Sequence, residues 1–187
     1  GYSKFYNKIF YDIKNEKIDI MEIGSFYGNA SAALYFYFKH ANIVGVDINP
    51  DMFKYKSQRI KSLQVDSSSQ DSIKNEIVAL DKTFKIIIED ASHMLKDQII
   101  SLFMLFPIVK SKGYFIVEEL DFPESREDMR INQVFPDLKT ILNNILKDKD
   151  FKSPYINDES KKYFLDNFDY IKIYKGNMNE IAIIKKK

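Results

Sequence analysis

Short apolar runs alternate along this chain with longer stretches of helical periodicity, the signature of a parallel sheet with crossover helices. The apolar runs predict strands over Ile18–Ile23, Ile43–Asp47, Leu63–Asp66, Phe84–Glu89, Tyr114–Glu118, Tyr170–Tyr174 and Glu180–Ile184. Helical spacing predicts Asn29–Phe38, Met52–Arg59, Ser72–Leu80, Leu95–Val109, Leu138–Leu146 and Glu159–Asn167, with a further helix in the opening residues up to about Phe10. A helix follows every strand before Tyr170, whereas the last two strands are joined only by the turn Lys175–Asn179 and read as a hairpin. The expected fold is α/β and Rossmann-like: a mostly parallel seven-stranded sheet with a C-terminal antiparallel hairpin and helices on both faces. Asp121–Asp137, charged and carrying two prolines, is expected to be a mobile loop over the strand tips.

Two strand ends concentrate chemistry. Ile86-Ile87-Ile88 runs into Glu89-Asp90-Ala91-Ser92-His93, and Phe115-Ile116-Val117 runs into Glu118-Glu119. If these strands are neighbours, several carboxylates meet one imidazole, a set that can hold Mg²⁺ or a similar divalent cation beside a general base for an alcohol. Glu89 is expected to point away from such a metal by strand alternation. Ser92 or Asp90 can instead cap the helix starting near Met94, and solvated strand ends are the plain reading of Glu118 and Glu119.

Earlier in the chain, Met21-Glu22-Ile23-Gly24-Ser25-Phe26-Tyr27-Gly28 is a strand and a glycine-bounded turn before a helix start. The next strand ends in Asp47, where an acid can grip a ribose diol, and Asp66-Ser67 at the third strand's end can meet an adenine. A dinucleotide fingerprint needs glycine where Phe26 stands, so the pattern favours a nucleoside ligand without a pyrophosphate. S-adenosylmethionine is the common one, with Glu22, Gly24, Ser25, Gly28, Asp47, Asp66, Ser67 and Asp90 as its candidate contacts.

Composition narrows the partners. The 187 residues suit a single domain over 1–187, and the start at Gly1 rather than Met raises the expectation of a longer natural protein. Lys and Arg (28) balance Asp and Glu (27), so no basic field invites nucleic acid. No apolar run reaches the roughly 20 residues of a membrane span. The absence of cysteine excludes thiol chemistry and fits a cytoplasmic protein. His40 at a helix end is read as a macrodipole contact, Tyr35-Phe36-Tyr37-Phe38 as helix packing, and Lys185-Lys186-Lys187 as a solvated tail.

These motifs, from Glu22-Ile23-Gly24 through Gly28, Gly45-Val46-Asp47, Asp90-Ala91-Ser92-His93, Tyr114 through Glu119 and Ile181 through Lys185, together resemble the class I S-adenosylmethionine-dependent methyltransferases. Within these the chain is similar to the metal-dependent sugar O-methyltransferases of the macrocin and mycinamicin type. A helix and then a hairpin after five parallel strands also matches their element order. The resemblance implies Asp90, Glu118 and Glu119 as Mg²⁺ ligands and His93 as the base. The family more often has Glu-Asp where this chain has Glu118-Glu119, which makes Glu119 the least secure ligand. The expected acceptor is a sugar hydroxyl, of a nucleotide-linked sugar or a glycoside in capsule polysaccharide or natural-product biosynthesis, and a homo-oligomer is an open expectation. A catechol-like acceptor, a nicotinamide-dependent oxidoreductase and a non-catalytic module are the competing readings.

Overall fold

A computed structural model describes all 187 residues. In chain order it contains α1 (Ser3–Phe10), β1 (Asp19–Ile23), α2 (Asn29–Tyr37), β2 (Asn42–Asp47), β3 (Ile60–Gln64), the short α3 (Gln70–Ser72), β4 (Phe84–Glu89), α4 (Leu95–Leu105), β5 (Val109–Val117), the one-turn α5 (Phe122–Ser125), α6 (Leu138–Asp148), α7 (Asp158–Asn167), β6 (Phe168–Lys175) and β7 (Glu180–Lys186). The seven strands lie in the order β3-β2-β1-β4-β5-β7-β6. The first five are parallel, and β7 runs antiparallel to both β5 and β6.

Central strands covered on both faces must be apolar on both, and β4 is: Phe84, Ile86, Ile87 and Ile88 are all buried. Ile20, Ile43, Ile86 and Ile116 face α1 and α2 on one side. Met21, Ile87 and Phe115 face α4, α6 and α7 on the other. Ladder pairing carries on past the strand ends, with Asp90 N–H donating to the Ile23 carbonyl (2.9 Å) and Glu118 N–H to the Glu89 carbonyl (3.0 Å). Gly24, Asp90 and Glu118 are therefore brought side by side at one edge of the sheet.

Several sequence expectations need correction. No helix forms over Met52–Arg59; a 3₁₀ turn at Pro50–Met52 leads into extended chain. Phe53, within this stretch, is buried as a plug, its ring lying 2.4 Å from where a Cβ on Gly45 would sit and 2.8 Å from one on Gly28. Gly45→Ala therefore overpacks this contact and is expected to destabilise the fold by about 1–3 kcal/mol in urea unfolding. The third strand spans Ile60–Gln64 rather than Leu63–Asp66, and the helix placed at Ser72–Leu80 starts at Gln70 and passes through a π turn, Ile73–Ile77, into a 3₁₀ turn. Likewise Leu95–Val109 closes as a helix at Leu105, and β5 begins at Val109, earlier than Tyr114.

Lys186 is no solvated tail. It lies in β7, buried, with its ammonium donating to the carbonyls of Phe106, Pro107 and Val109 and to the Tyr163 hydroxyl. The 3₁₀ turn that follows α4 and the first residue of β5 turn their carbonyls to that charge. Within the aromatic run Phe38 is fully buried in the core, while Phe36 is 78% exposed. The Asp121–Asp137 segment holds α5 and a 3₁₀ turn and is tied down: Asp121 Oδ1 accepts from Glu180 N–H (2.8 Å), Gln133 Oε1 from Lys96 N–H (2.6 Å), and the Tyr155 hydroxyl from Val134 N–H (2.6 Å). No helix is long and apolar enough to cross a membrane.

Candidate active site at the strand tips

After β1 the chain turns through Gly24 (φ 84°) into α2. A Cβ at Gly24 would stand 2.1 Å from the Asp90 carbonyl oxygen, so only glycine lets the β1 turn close against the β4 tip. Asp47 fastens that turn, accepting from Phe26 N–H (2.8 Å) on one oxygen and from Asn49 N–H (2.9 Å) on the other. It lines a cleft of about 440 Å³ whose walls also include Gly24, Phe26, Asp66, Ser67 and Asp90. Half-exposed Phe26 sits at the cleft wall, in the place where a phosphate-binding turn carries glycine.

The other predicted donor contacts lie elsewhere. Ser25 is buried with its hydroxyl turned toward Gly45, and Gly28 packs on the Phe53 ring, so both shape the turn from below. Glu22 points to the opposite face of the sheet and accepts a hydrogen bond from Ser31 Oγ. There it lines a second cavity, of about 420 Å³, with Tyr6, Ala30, Ile88, Asp90 and Glu118. Asp90 is shared by the two cavities.

Around Asp90 the acids gather. One ligand atom each from Asp90, His93 and Glu119 lies within 4.8 Å of the others, with His93 Nε2 at 3.9 Å from Asp90 Oδ1. Glu118 stands beside this group, accepting a hydrogen bond from the Tyr6 hydroxyl. Glu119, the ligand least secure from the sequence, is thus in the cluster. Its backbone is left-handed (φ 46°), as is that of His93 (φ 58°), a costly conformation that surrounding bonds must hold. Gln98 supplies two of them, its Nε2 donating to the carbonyls of Glu118 (3.5 Å) and Glu119 (3.2 Å).

Glu119 Oε1 is near two donors, Asn179 Nδ2 (3.2 Å) and the Tyr2 hydroxyl (3.4 Å), while Oε2 is buried with no partner. A buried orphan carboxylate oxygen facing a second carboxylate fits a hard divalent cation. Asp90 is pushed well up by burial and by the neighbouring Glu118 and Glu119, and burial raises Glu118 to about 7. Such repulsion among acids is what a cation relieves. Burial lowers His93 against the pull of Glu119, which keeps the imidazole neutral, and its ring meets Phe122 edge-on at 5.0 Å.

Ser92 bonds within the turn rather than in the cluster, accepting from Met94 N–H (3.2 Å) and donating to Asp97 (2.7 Å). Glu89 points away from the cluster, fully buried beneath it, with one oxygen unpartnered, and burial raises it to about 8. An acid held above its ordinary 4.5 binds its proton more tightly folded than unfolded. Its contribution is whole below that value and is lost as pH climbs through about 8. Glu89→Gln should accordingly match the wild type at about pH 4.5 and exceed it by on the order of 2–4 kcal/mol above pH 8 in the metal-free protein. A pH-independent difference in chemical denaturation would contradict this assignment.

Sequence reasoning missed Tyr2, Tyr6, Gln98 and Asn179. All four reach the site by tertiary contact from elements with no motif of their own, and the only prior signal was Tyr2 and Tyr6 at helical spacing.

No protein-family model matches the chain. Over 126 residues it is 28% identical to the demethylmacrocin O-methyltransferase of Streptomyces fradiae and 26% identical to the mycinamicin VI 2''-O-methyltransferase of Micromonospora griseorubida; each match covers 64% of this chain and 31% of the relative. The matched region is thus about a third of each relative's length. Among solved structures, the MycE methyltransferase in complex with Mg, SAH and mycinamycin VI superposes with a TM-score of 0.75 at 20% identity, over 99% of this chain and 48% of that one. A ribosomal RNA methyltransferase from Plasmodium falciparum matches with a TM-score of 0.58 at 16% identity, over 99% and 93% of the two chains. With five parallel strands, an antiparallel β7 and a glycine turn opening on an acid-lined cleft, the chain has the class I methyltransferase fold, and in sequence it is similar to the O-methyltransferases of macrolide biosynthesis.

Proposed function

We propose that the protein transfers a methyl group from S-adenosylmethionine to a sugar hydroxyl in a reaction that depends on a divalent cation. The observation that carries this is the meeting at Asp90 of a nucleoside-sized cleft, a second acid-lined cavity and a carboxylate–imidazole cluster. Asp47 would take the ribose diol, Asp66 and Ser67 the adenine end, and Asp90, which the two cavities share, the cationic amino-acid end of the donor, with Glu22 adding its charge from the second cavity. Asp90, Glu118 and Glu119 would hold Mg²⁺.

When bound, Mg²⁺ supplies positive charge that lowers the pKa of an acceptor hydroxyl, and S-adenosylmethionine supplies the methyl. His93, neutral and half-buried, takes the hydroxyl proton. The Gly24 turn and Asp47 fix the donor so that the acceptor oxygen meets the methyl in line, and proximity lowers the barrier. Phe122 and the ordered Asp121–Asp137 segment flank His93, and this side is where the acceptor enters. Similarity to two enzymes named for macrolide sugar methylation supports the sugar reading. The acceptor is a glycoside or a nucleotide-linked sugar, in natural-product or capsule polysaccharide biosynthesis. A nucleic-acid acceptor would bring its phosphates against the acids at the tips.

Calorimetric titration of S-adenosylmethionine with and without Mg²⁺, followed by mass spectrometry of a panel of glycosides, nucleotide sugars and catechols, tests the proposal. It expects donor binding and a metal-dependent gain of one methyl on a sugar. Methylation of the catechols alone would move the acceptor class, and failure to bind the donor would overturn the reading.

A further inference from the structure

We propose that the N-terminal helix is part of the metal site: Tyr6 and Tyr2, one helical turn apart on the same side of the chain, orient the Glu118 and Glu119 carboxylates by hydrogen bonds. This rests on the metal reading above and adds two positioning residues to it. Neither tyrosine belongs to the strand tips.

Residues four apart at the start of a helix share one face. Here that face is turned to the β5 tip, and consecutive acids receive consecutive phenols. Tyr6 donates to Glu118 Oε1. The Tyr2 hydroxyl lies 3.4 Å from Glu119 Oε1 and 3.3 Å from the Glu180 carbonyl, its single proton shared between them. Each phenol engages only one oxygen of its carboxylate. The other oxygen stays free for a ligand, and in Glu119 that oxygen is the buried, unpartnered Oε2.

The rest of the chain is arranged to keep both phenols in place. Tyr6 stacks on Phe10 (5.1 Å, 10° between planes), and Phe10 packs edge-on against Phe38, so the ring is backed by the core. Phe5, between the two tyrosines, stacks on Tyr174 of β6 at 4.7 Å. The hairpin turn makes room for Tyr2: a Cβ at Gly176 would lie 2.9 Å from the Tyr2 ring. From the same turn Asn179 donates to the very oxygen that Tyr2 approaches. Helix and hairpin thus close on Glu119 from two sides, and the hairpin becomes part of the site as well as the sheet edge.

Partners outside the ligand set fix ligand orientation, and losing one typically costs about 10- to 100-fold in metal affinity. The two phenols differ in what backs them up. No other side chain bonds Glu118, whereas Asn179 remains on Glu119 when Tyr2 is lost. Tyr6→Phe should therefore weaken the metal about 10-fold or more, Tyr2→Phe by only a few-fold, and Tyr2→Phe with Asn179→Ala by about 10-fold.

The test titrates Mn²⁺ alone into the full chain, without donor or acceptor, and follows the free ion by electron paramagnetic resonance; metal-free and Mn²⁺-saturated melting temperatures are recorded alongside. Support is that ranking of affinities, with a smaller Mn²⁺-induced rise in melting temperature measured from each variant's own metal-free value. Gly176→Ala, whose added Cβ would stand 2.9 Å from both the Tyr2 ring and the Asn179 carbonyl oxygen, disturbs both partners of Glu119 and should weaken the metal at least as much as Tyr2→Phe. Tyr174→Phe, which removes a phenol outside the cluster and keeps the stacking ring, should bind as the wild type does. If the wild type binds Mn²⁺ and both Tyr6→Phe and the Tyr2→Phe/Asn179→Ala pair bind it within about two-fold of that, the phenols do not position the acids and the proposal falls alone. If the wild type takes up no Mn²⁺, the proposal falls together with the metal reading.

Discussion

Replacing His93 by glutamine is expected to lower the rate of methyl transfer by about 10²- to 10⁴-fold while leaving affinity for S-adenosylmethionine within about two-fold. The separation follows from where the residue stands. His93 belongs to the cluster with Asp90 and Glu119 and is absent from the lining of the donor cleft. Burial holds the imidazole below its ordinary 6.5, so it is neutral and able to accept a proton at physiological pH. Neutral imidazole is the working form, so the rate should rise with pH along an acid limb below 6.5, and glutamine, which cannot accept the proton, should abolish that limb. Single-turnover kinetics with saturating donor separate the proton-transfer step from binding. A variant that keeps near wild-type turnover would remove His93 from the role of base and leave it as a structural neighbour of Phe122.

The features that could be read ahead of the structure are those set by short-range pattern and by parallel-sheet geometry. β1, β4 and the β6–β7 hairpin are legible because continuous apolar runs between turn residues have few other interpretations. The carboxyl ends of the parallel strands β1, β2, β4 and β5 must lie at one edge of the sheet, so Gly24, Asp47, Asp90 and Glu118 could be placed together from strand assignment alone. β3 was misplaced because it is an edge strand with only Ile60 buried, and the more apolar Leu63–Val65 drew the boundary forward. Met52–Arg59 forms no helix for a different reason: Phe53 fills the gap left by Gly28 and Gly45, a tertiary contact that periodicity along the chain does not show. At the site the limit is sharper. A carboxylate announces itself by type and position, but the groups that aim it, the phenols of Tyr2 and Tyr6 and the amides of Gln98 and Asn179, are ordinary surface-helix, core-helix and turn residues until the fold brings them in. Glu22 shows the converse. It sits next to the glycine turn in sequence, yet strand alternation sends it through to the other face, into the second cavity.

Asp90→Asn is expected to lower turnover by about 10³-fold or more and to produce the same low rate that chelation of the wild type produces. Several arguments meet on this residue. It is the acid common to both cavities and to the cluster, and its backbone pairs with Ile23 at the end of the β1–β4 ladder, so its position is fixed by the sheet. Asparagine keeps the shape and one oxygen but removes the charge, which should leave the fold intact while stripping the cluster of a carboxylate. The metal-free fold should even gain stability, because Asp90 sits among acids that oppose its ionisation and asparagine has no charge to repel. Donor affinity separates the contributions. If Asp90 serves only the metal, S-adenosylmethionine should bind the variant as it binds chelated wild type. A further loss beyond chelation would be the part Asp90 plays toward the donor's cationic end, which its place between the cavities leads us to expect at several-fold. Turnover that survives both chelation and Asp90→Asn would mean that a hydroxyl is methylated here by His93 and proximity alone, and the gathering of acids would then need another purpose.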